Sequence, residues 1–237
     1  MDCTIGFGGH SESIINKLNS KGLLIGLDLD PYALEKTKEK LSQHNKNISL
    51  HNCSYSVFPQ ILEKMGIKKV DGFLFDLGIS SYQIDSEHRG FSYMKDSPLD
   101  MRFNNKDLSV DSAADIINSI SEENLSIALK KYGDIQNHSK IAKCIITERD
   151  KKAIRTTFDL KRAICKDLLY ENYKKLSIVF QVIRIIVNNE IENIKNTLKF
   201  SIDHLKIGGR IAIISFHSIE DRIVKHFFKD LVIYKDS

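Results

Sequence analysis

Short apolar runs, each followed by a polar residue, recur along this chain. They cover residues 23–27, 48–53, 73–75 and 211–214. Apolar runs of this length predict strands that are buried on both faces, as in the parallel sheet of an α/β protein. Between the runs, apolar residues at helical spacing predict helices over residues 32–41 and 58–65. The pattern therefore predicts an α/β fold.

A long middle stretch of the chain shows helical periodicity and no strand pattern. Helices are predicted there over residues 110–132 (two helices), 141–146 and 160–168. Thr156 and Thr157 precede the last of these helices and are predicted to cap it.

The second half of this stretch is rich in basic side chains, among them Lys151, Lys152 and Arg155. A solvated charged face and a surface that binds phosphates explain such an excess equally well.

The α/β pattern resumes after this stretch. One long amphipathic helix is predicted over residues 179–205, and Gly208 and Gly209 are predicted to end it. The last strand follows directly. We therefore expect an α/β domain in two parts with an inserted all-helical subdomain, divided into residues 1–105, 106–177 and 178–237.

A polar cluster follows the strand at residues 73–75. Asp76 comes first, and Ser80, Ser81 and Gln83 follow within seven positions. Ligands of open α/β sheets bind beyond the carboxyl ends of the strands, which is where this cluster is predicted to lie. Taken alone, Asp76 is as well explained as a turn or cap residue. Two other strands with the same kind of ending favour a binding site.

A glycine-rich loop near the start of the chain is a second candidate for ligand binding. Gly8, Gly9 and His10 lead into an amphipathic helix, and Asp28 ends the next predicted strand roughly twenty residues later. Glycines let a backbone approach a ligand closely, and an acid at that spacing accepts hydrogen bonds from a ribose. A plain glycine turn is the alternative. Tyr55, just beyond the strand predicted over residues 48–53, either covers an adenine face or belongs to the core.

Composition limits the class of protein. The chain is 42% hydrophobic and 28% charged with a formal net charge of +4, which permits a nucleic-acid partner without requiring one. No apolar run approaches the length of a membrane span. The four cysteines, Cys3, Cys53, Cys144 and Cys165, form no CxxC pair, so we expect free thiols in a reducing cytoplasm and no metal site.

Together, the motifs resemble one bacterial enzyme family. The elements GFGGHS, GLDLDP, DGFLFDLGISSYQID, RGFSY, SPLDMRF, RTT, FQVIRIIVN, GGR and SFHSIEDRIVK occur in the order and at the spacing of the 16S rRNA (cytosine-N4)-methyltransferases (RsmH/MraW). The resemblance implies a Rossmann-like methyltransferase that uses S-adenosyl-L-methionine and carries a helical insertion. It also implies cofactor contacts by Gly8, Gly9, His10, Asp28, Tyr55, Asp76 and Gln83.

The substrate implied by the resemblance is a cytidine in the decoding centre of 16S rRNA, within the small ribosomal subunit. Cytosine N4 is a poor nucleophile, so a hydrogen-bond acceptor is expected beside it, supplied by Asp76 or by a loop that includes Ser80 and Ser81. Lys151, Lys152 and Arg155 are the expected phosphate contacts. A methyltransferase for protein or small molecules, and an inactive or RNA-binding remnant, are the alternatives.

Two departures from the family pattern stand out. Residues 173–179 lack the Pro-Ala-Thr-Arg-like sequence that usually precedes FQ, and family members extend beyond both ends of this chain. The sequence therefore predicts a chain truncated at both ends. It also predicts an open slot in the sheet where most of the first strand is missing, with marginal stability as the consequence.

Overall fold

The computed structural model describes residues 1–165 and 173–233. Two compact units are present: Met1–Gly78 together with Ile191–Ser237, and Ile79–Glu190. We call them the sheet unit and the helical unit. The division into residues 1–105, 106–177 and 178–237 stays a prediction. The predicted helix end at Leu168 and the basic residue Lys166 lie outside the described residues.

The sheet unit contains the strands β1 (Leu24–Asp28), β2 (Ile48–Asn52), β3 (Val70–Asp76) and β4 (Leu205–Ile214). Its helices are α1 (Gly9–Ile15), α2 (Pro31–Lys40) and α3 (Phe58–Lys64), with α10 (Glu190–Asp203) and α11 (Ser218–Ile233) near the end of the chain. The helical unit contains α4 (Ser81–Asp85), α5 (Ala113–Ser119), α6 (Glu122–Gly133), α7 (His138–Lys151), α8 (Thr157–Cys165) and α9 (Tyr173–Val187).

All strand pairs of the sheet unit are parallel. β1 pairs with β2 so that Asp28 faces Asn52, and β3 pairs with β4 so that Asp76 faces Ile214. The mixed α/β architecture predicted from the sequence is therefore present. All four strands reach their carboxyl ends at the same edge, which brings the predicted polar clusters to one side of the unit.

The start of the chain lies between β1 and β3. Asp2 N–H donates to Ile25 O at 2.8 Å, and Cys3 N–H donates to Leu74 O at 2.8 Å. Leu27 N–H and Leu74 N–H donate back to the carbonyls of residues 2 and 1 at 2.9 Å. The open slot predicted from the sequence is therefore wrong for this part of the sheet, because a few residues suffice to bond both neighbouring strands.

Apolar side chains from strands and helices form the core of the sheet unit. Phe73 and Phe75 of β3 are buried, and Phe58 of α3 packs edge-on against Phe73 with ring centroids 5.0 Å apart. Ile194 and Leu198 of α10 belong to the same cluster. Burial on both faces explains why β3 has an almost uninterrupted apolar sequence.

The helical unit has its own core. Its buried cluster draws on α5, α6, α7, α8 and α9 and includes Ile117, Leu125, Leu129, Ile141, Ile145, Leu160, Val179 and Ile183. Thr156 Oγ1 accepts from Asp159 N–H at 3.2 Å while Asp159 Oδ2 accepts from Thr156 N–H at 3.1 Å, which confirms Thr156 as the cap of α8. Thr157 is not a cap: it is the first residue of α8, and its hydroxyl donates to Lys95 O at 2.7 Å. Among its described residues, the only β-type pairing is an isolated bridge between Pro98 and Thr156.

The single helix predicted over residues 179–205 is wrong. The chain forms α9 and α10 with a break at Asn188 and Asn189, where Asn189 has a left-handed φ of 48°. Asn188 turns its side chain into the helical unit, donating to Met101 O at 2.8 Å and accepting from Phe103 N–H at 2.8 Å. Gly208 and Gly209 do not end a helix either, since they lie within β4.

Candidate functional site

The glycine loop sits at the carboxyl edge of the sheet unit, directly before α1. Gly8 has a left-handed φ of 75°, and a Cβ there would lie 3.1 Å from Thr37 Cγ2. Thr37 Oγ1 donates to Gly6 O at 2.6 Å and so ties the loop to α2. A Cβ on Gly9 would meet no atom within 4 Å. The loop is thus held on one side and open on the other, as a ligand cradle requires.

Asp28 holds the other side of this loop. Its Oδ2 accepts from Gly6 N–H at 2.8 Å and its Oδ1 accepts from Asp30 N–H at 2.8 Å. Burial raises the pKa of Asp28 to about 6, although both N–H groups act in the opposite direction. Asp30 instead caps α2 by accepting from Tyr32 N–H. Asp28 is therefore the acid at the strand end that faces the glycine loop.

Asp76 ends β3 on the other side of the first segment of the chain. Parallel strands lie about 4.8 Å apart, so its Cα is roughly 10 Å from that of Asp28. Its N–H donates to Thr4 Oγ1 at 2.6 Å, and its Oδ2 lies 3.3 Å from His10 Nε2. Its Oδ1 is buried and accepts no hydrogen bond from any described residue. Buried polar atoms are usually hydrogen-bonded, so this oxygen is suited to accept a hydrogen bond from a ligand.

A second buried acid, Asp2, forms hydrogen bonds beside the glycine loop. Asp2 accepts from Ser11 Oγ at 2.6 Å and from Thr4 N–H at 3.2 Å, and burial raises its pKa. Sequence reasoning did not single out Asp2, Thr4, Ser11 or Thr37, because it cannot tell which polar residue near a glycine loop turns inward.

Tyr55 begins a short 3-10 turn after β2. Its ring packs edge-on against Phe75, with centroids 6.1 Å apart. Tyr55 and Phe75 also line a small apolar cavity with Ile213 and with Leu198 of α10. These contacts favour the core interpretation that the sequence left open. Its role in cofactor binding stays a prediction.

The residues predicted to follow Asp76 in the site lie in the helical unit. Ser80 caps α4: its Oγ accepts from Gln83 N–H at 3.2 Å, and Gln83 Oε1 accepts from Ser80 N–H at 3.1 Å. This capping box fixes the start of the helix. Ser81 is exposed at the first helical position. Ser80, Ser81 and Gln83 as site residues remain predictions.

The predicted phosphate contacts are exposed on the helical unit. Lys151 ends α7, with 58% of its side chain exposed and a 2.7 Å ion pair to Glu148. Lys152 and Arg155 follow and are exposed as well. Arg149, from the same basic run, instead donates to Ile117 O at 2.7 Å and to Ile120 O at 2.6 Å. It stabilises the end of α5, so the basic run is only partly a free surface.

Comparison with known proteins identifies the family. A sequence profile of the MraW methylase family matches residues 1–236. The chain belongs to this family. A protein named ribosomal RNA small subunit methyltransferase H from Clostridium botulinum (strain Kyoto / Type A2) is 44% identical over 234 residues, which make up 98% of this chain and 75% of that protein.

Two further relatives carry the same name. The protein from Clostridioides difficile (strain 630) is 43% identical over 236 residues, covering 98% of this chain and 75% of its own length. The protein from Fusobacterium nucleatum subsp. nucleatum is 44% identical over 235 residues, covering 98% of this chain and 73% of its own length. The resemblance to the RsmH/MraW family seen in the motifs is confirmed.

The motif SFHSIEDRIVK, which helped to place the chain in the MraW methylase family, adds residues that sequence reasoning left without a role. Glu220 is fully buried in the first turn of α11, and its Oε2 accepts from Phe216 N–H at 3.0 Å. His217 Nε2 lies 3.1 Å from Glu220 Oε1. The signal in the sequence was the run of polar residues directly after an apolar strand.

The described part of the chain shows neither a membrane-spanning helix nor a cluster of metal ligands. Across residues 1–165 and 173–233, no helix is long and apolar enough to cross a membrane. In the same ranges, no group of three or more His, Cys, Asp or Glu side chains is placed to hold a metal ion. Cys3, Cys53 and Cys144 are free thiols, as predicted, and the side chain of Cys165 lies outside the described residues.

Proposed function

We propose that this chain transfers a methyl group from S-adenosyl-L-methionine to the N4 amino group of a cytidine in the decoding centre of 16S rRNA. One observation carries the proposal: Asp28 and Asp76 flank an open glycine loop at the carboxyl edge of a parallel sheet, in a member of the MraW methylase family. The names of the relatives support an rRNA of the small ribosomal subunit as substrate. The reaction is proposed to take place in the cytoplasm.

The residues at this edge fit a nucleoside-type methyl donor. Each oxygen of an ionised carboxylate accepts about two hydrogen bonds, and each oxygen of Asp28 accepts one from the described backbone. Asp28 therefore retains capacity for ribose hydroxyls. The open space beside Gly9 and the buried Oδ1 of Asp76 offer room and a second acceptor. We assign Gly8, Gly9, His10, Asp28 and Asp76 to cofactor binding.

Methyl transfer requires the protein to align the two reactants more than to activate them. When bound, S-adenosyl-L-methionine would supply an activated methyl group: the S–CH3 bond would break as the N4–C bond forms, the sulfur would leave as a neutral thioether, and the N4 proton would pass to solvent. The chain holds the amine in line, and an acceptor at its N–H groups favours a pyramidal nitrogen as positive charge develops. We assign this acceptor to the loop of residues 77–81, where Ser81 is exposed and Ser80 is committed to the cap of α4.

The helical unit is proposed as the RNA-facing insertion of a Rossmann-like methyltransferase. Its exposed cations Lys151, Lys152 and Arg155 lie within five positions of one another, at the end of α7 and just after it. Phosphate contacts by Lys and Arg supply much of the affinity of proteins for nucleic acids. We assign these three residues to the rRNA backbone.

A transfer assay tests the proposal. The wild-type protein is incubated with methyl-labelled S-adenosyl-L-methionine and small ribosomal subunits, beside Asp76→Asn and the matched control Asp71→Asn. Asp71 is exposed at the opposite end of β3 and pairs with Lys206. We expect label in 16S rRNA with the wild type and the control, and its loss with Asp76→Asn. Label in free cytidine alone, or none from a folded wild type that binds the cofactor, would contradict the proposal.

A further inference from the structure

A large aromatic side chain stands exposed beside the candidate site. Phe216 lies two residues beyond the end of β4, and 70% of it is exposed. The core aromatic rings of the same unit, such as Phe58, Phe73 and Phe75, are almost fully buried. Phe216 therefore contributes little to the fold by its own burial, and its ring is accessible to a ligand.

The turn that carries Phe216 is firmly held. Its N–H donates to the buried Glu220, as described above, and Asp221 N–H donates to His217 O at 3.1 Å. On the strand side, Leu77 N–H donates to Ile214 O at 3.0 Å, which extends the pairing of β3 and β4 up to the turn. An exposed ring on a fixed backbone is suited to contact with a ligand, because little ordering is required on binding.

The position of Phe216 points to the substrate. Asp76 pairs with Ile214, so Phe216 lies next to the segment that follows Asp76. Gly78, in that segment, has a φ of 99°, and a Cβ there would lie 3.5 Å from the ring. The ring thus borders Gly78, in the loop that the proposed function assigns to the reacting amine.

We propose that Phe216 is the surface on which the target pyrimidine stacks after it has left its own stack in the RNA. This inference rests on the proposed function. A base that is methylated on its ring amine must be extruded from stacking, and single-stranded bases are commonly received on aromatic rings. Glu220 holds the turn that carries the ring by accepting from Phe216 N–H.

The experiment compares Phe216→Ala, Phe216→Tyr and the control Ile207→Ala. Ile207 is fully exposed in the same strand, β4, at a distance from its carboxyl end. Four quantities are measured for each protein: the melting temperature, the affinity for S-adenosyl-L-methionine, the affinity for small ribosomal subunits without cofactor, and kcat/KM for methyl transfer.

Phe216→Ala should lower subunit affinity and kcat/KM by roughly 5- to 150-fold, the range for losing one stacked base. Phe216→Tyr, which keeps the ring, should stay within roughly threefold of the wild type, because stacking tolerates substitution of the ring. Cofactor affinity and melting temperature should not change. Phe216→Ala with unchanged subunit affinity and kcat/KM, or with a comparable loss of cofactor affinity, would overturn the inference.

The two proposals fail in different ways. If the wild type binds subunits through Phe216 but transfers no methyl group, the stacking role stands and the proposed reaction falls. If the wild type methylates rRNA and Phe216→Ala does so equally well, the reaction stands and the stacking role falls.

Discussion

At the scale of single residues, carboxylates hold the loops of the candidate site by accepting hydrogen bonds from backbone N–H groups and from the Ser11 hydroxyl. Asp28 joins Gly6 to Asp30, and Asp2 joins Thr4 to Ser11. Asp28 could be predicted from the sequence because it ends an apolar strand at a suitable distance from glycines. Asp2 and Thr4 could not, since their importance comes from hydrogen bonds to residues up to 72 positions away.

The first prediction concerns Asp28 and the cofactor. Asp28→Ala should weaken S-adenosyl-L-methionine binding by about 1.5–3 kcal/mol, the range for losing a hydrogen bond to a charged group. Isothermal calorimetry measures this, with the exposed Asp71→Ala as control. Unchanged affinity in a folded Asp28→Ala protein would remove Asp28 from the site.

The second prediction follows from the pKa of about 6 for Asp28. Ribose hydroxyls donate hydrogen bonds, so they bind better to the ionised carboxylate, and binding should release a proton below pH 6. Affinity should therefore be nearly constant above pH 7 and fall about tenfold between pH 7 and pH 5, as the ionised fraction falls. Asp28→Asn, which does not titrate, should lack this fall; the same pH profile in both proteins would refute the assignment.

At the scale of elements, strands with both faces buried were well predicted, because their apolar runs are interrupted only where the strand ends. β1 and β2 differ from the predicted ranges by one residue at their ends. β4 begins at Leu205, well before the predicted residue 211, because its first half lacks the apolar run. Its second half alternates between half-buried and exposed residues, so the burial on both faces predicted for residues 211–214 is wrong. Gly209 is needed within it: a Cβ there would lie 2.9 Å from Asp71 O, at the irregular register beside Gly72.

The sequence pattern does not predict the break between α9 and α10. Apolar residues continue at helical spacing on both sides of Asn188 and Asn189, so periodicity alone predicts one helix. What ends α9 is a set of hydrogen bonds from Asn188 to residues more than eighty positions earlier in the chain. Asn189 then adopts the left-handed conformation that asparagine tolerates.

The third prediction tests this break. Asn188→Ala should lower the free energy of unfolding by about 1–3 kcal/mol, because Phe103 N–H and Met101 O lose their partner. The exposed Asn124→Ala serves as control and should change stability by less than about 0.5 kcal/mol. Urea denaturation measures both. Equal stabilities of the two variants would show that Asn188 does not hold the break.

At the scale of the whole molecule, the two compact units each have a core and a candidate function: cofactor chemistry in the sheet unit and RNA contact in the helical unit. For the RNA contact, the sequence offered only an excess of basic residues in the helical unit. Charge counts could not separate Arg149, which stabilises a helix end, from the exposed Lys151 and Lys152, because that difference depends on which backbone carbonyls lie nearby.

The fourth prediction concerns this RNA contact. Replacing Lys151, Lys152 and Arg155 together by glutamine should weaken binding to small ribosomal subunits and reduce the slope of log affinity against log salt by about 2–3. The control replaces Lys64, Lys68 and Lys69, three exposed lysines before β3, and so removes the same charge elsewhere. Cofactor affinity should stay unchanged in both. If the two triple variants have the same salt slope, the basic segment after α7 is only solvated.

The central claim, transfer of a methyl group to cytidine N4 of 16S rRNA, is tested most directly by identifying the product. Small subunits that carry no methyl group at this position are incubated with the wild-type protein and S-adenosyl-L-methionine, and their rRNA is digested and analysed by mass spectrometry. We predict N4-methylcytidine in the 16S rRNA digest, and none with Asp76→Asn. A folded, cofactor-binding wild type that yields no methylated cytidine, or one methylated at another atom, would contradict the account.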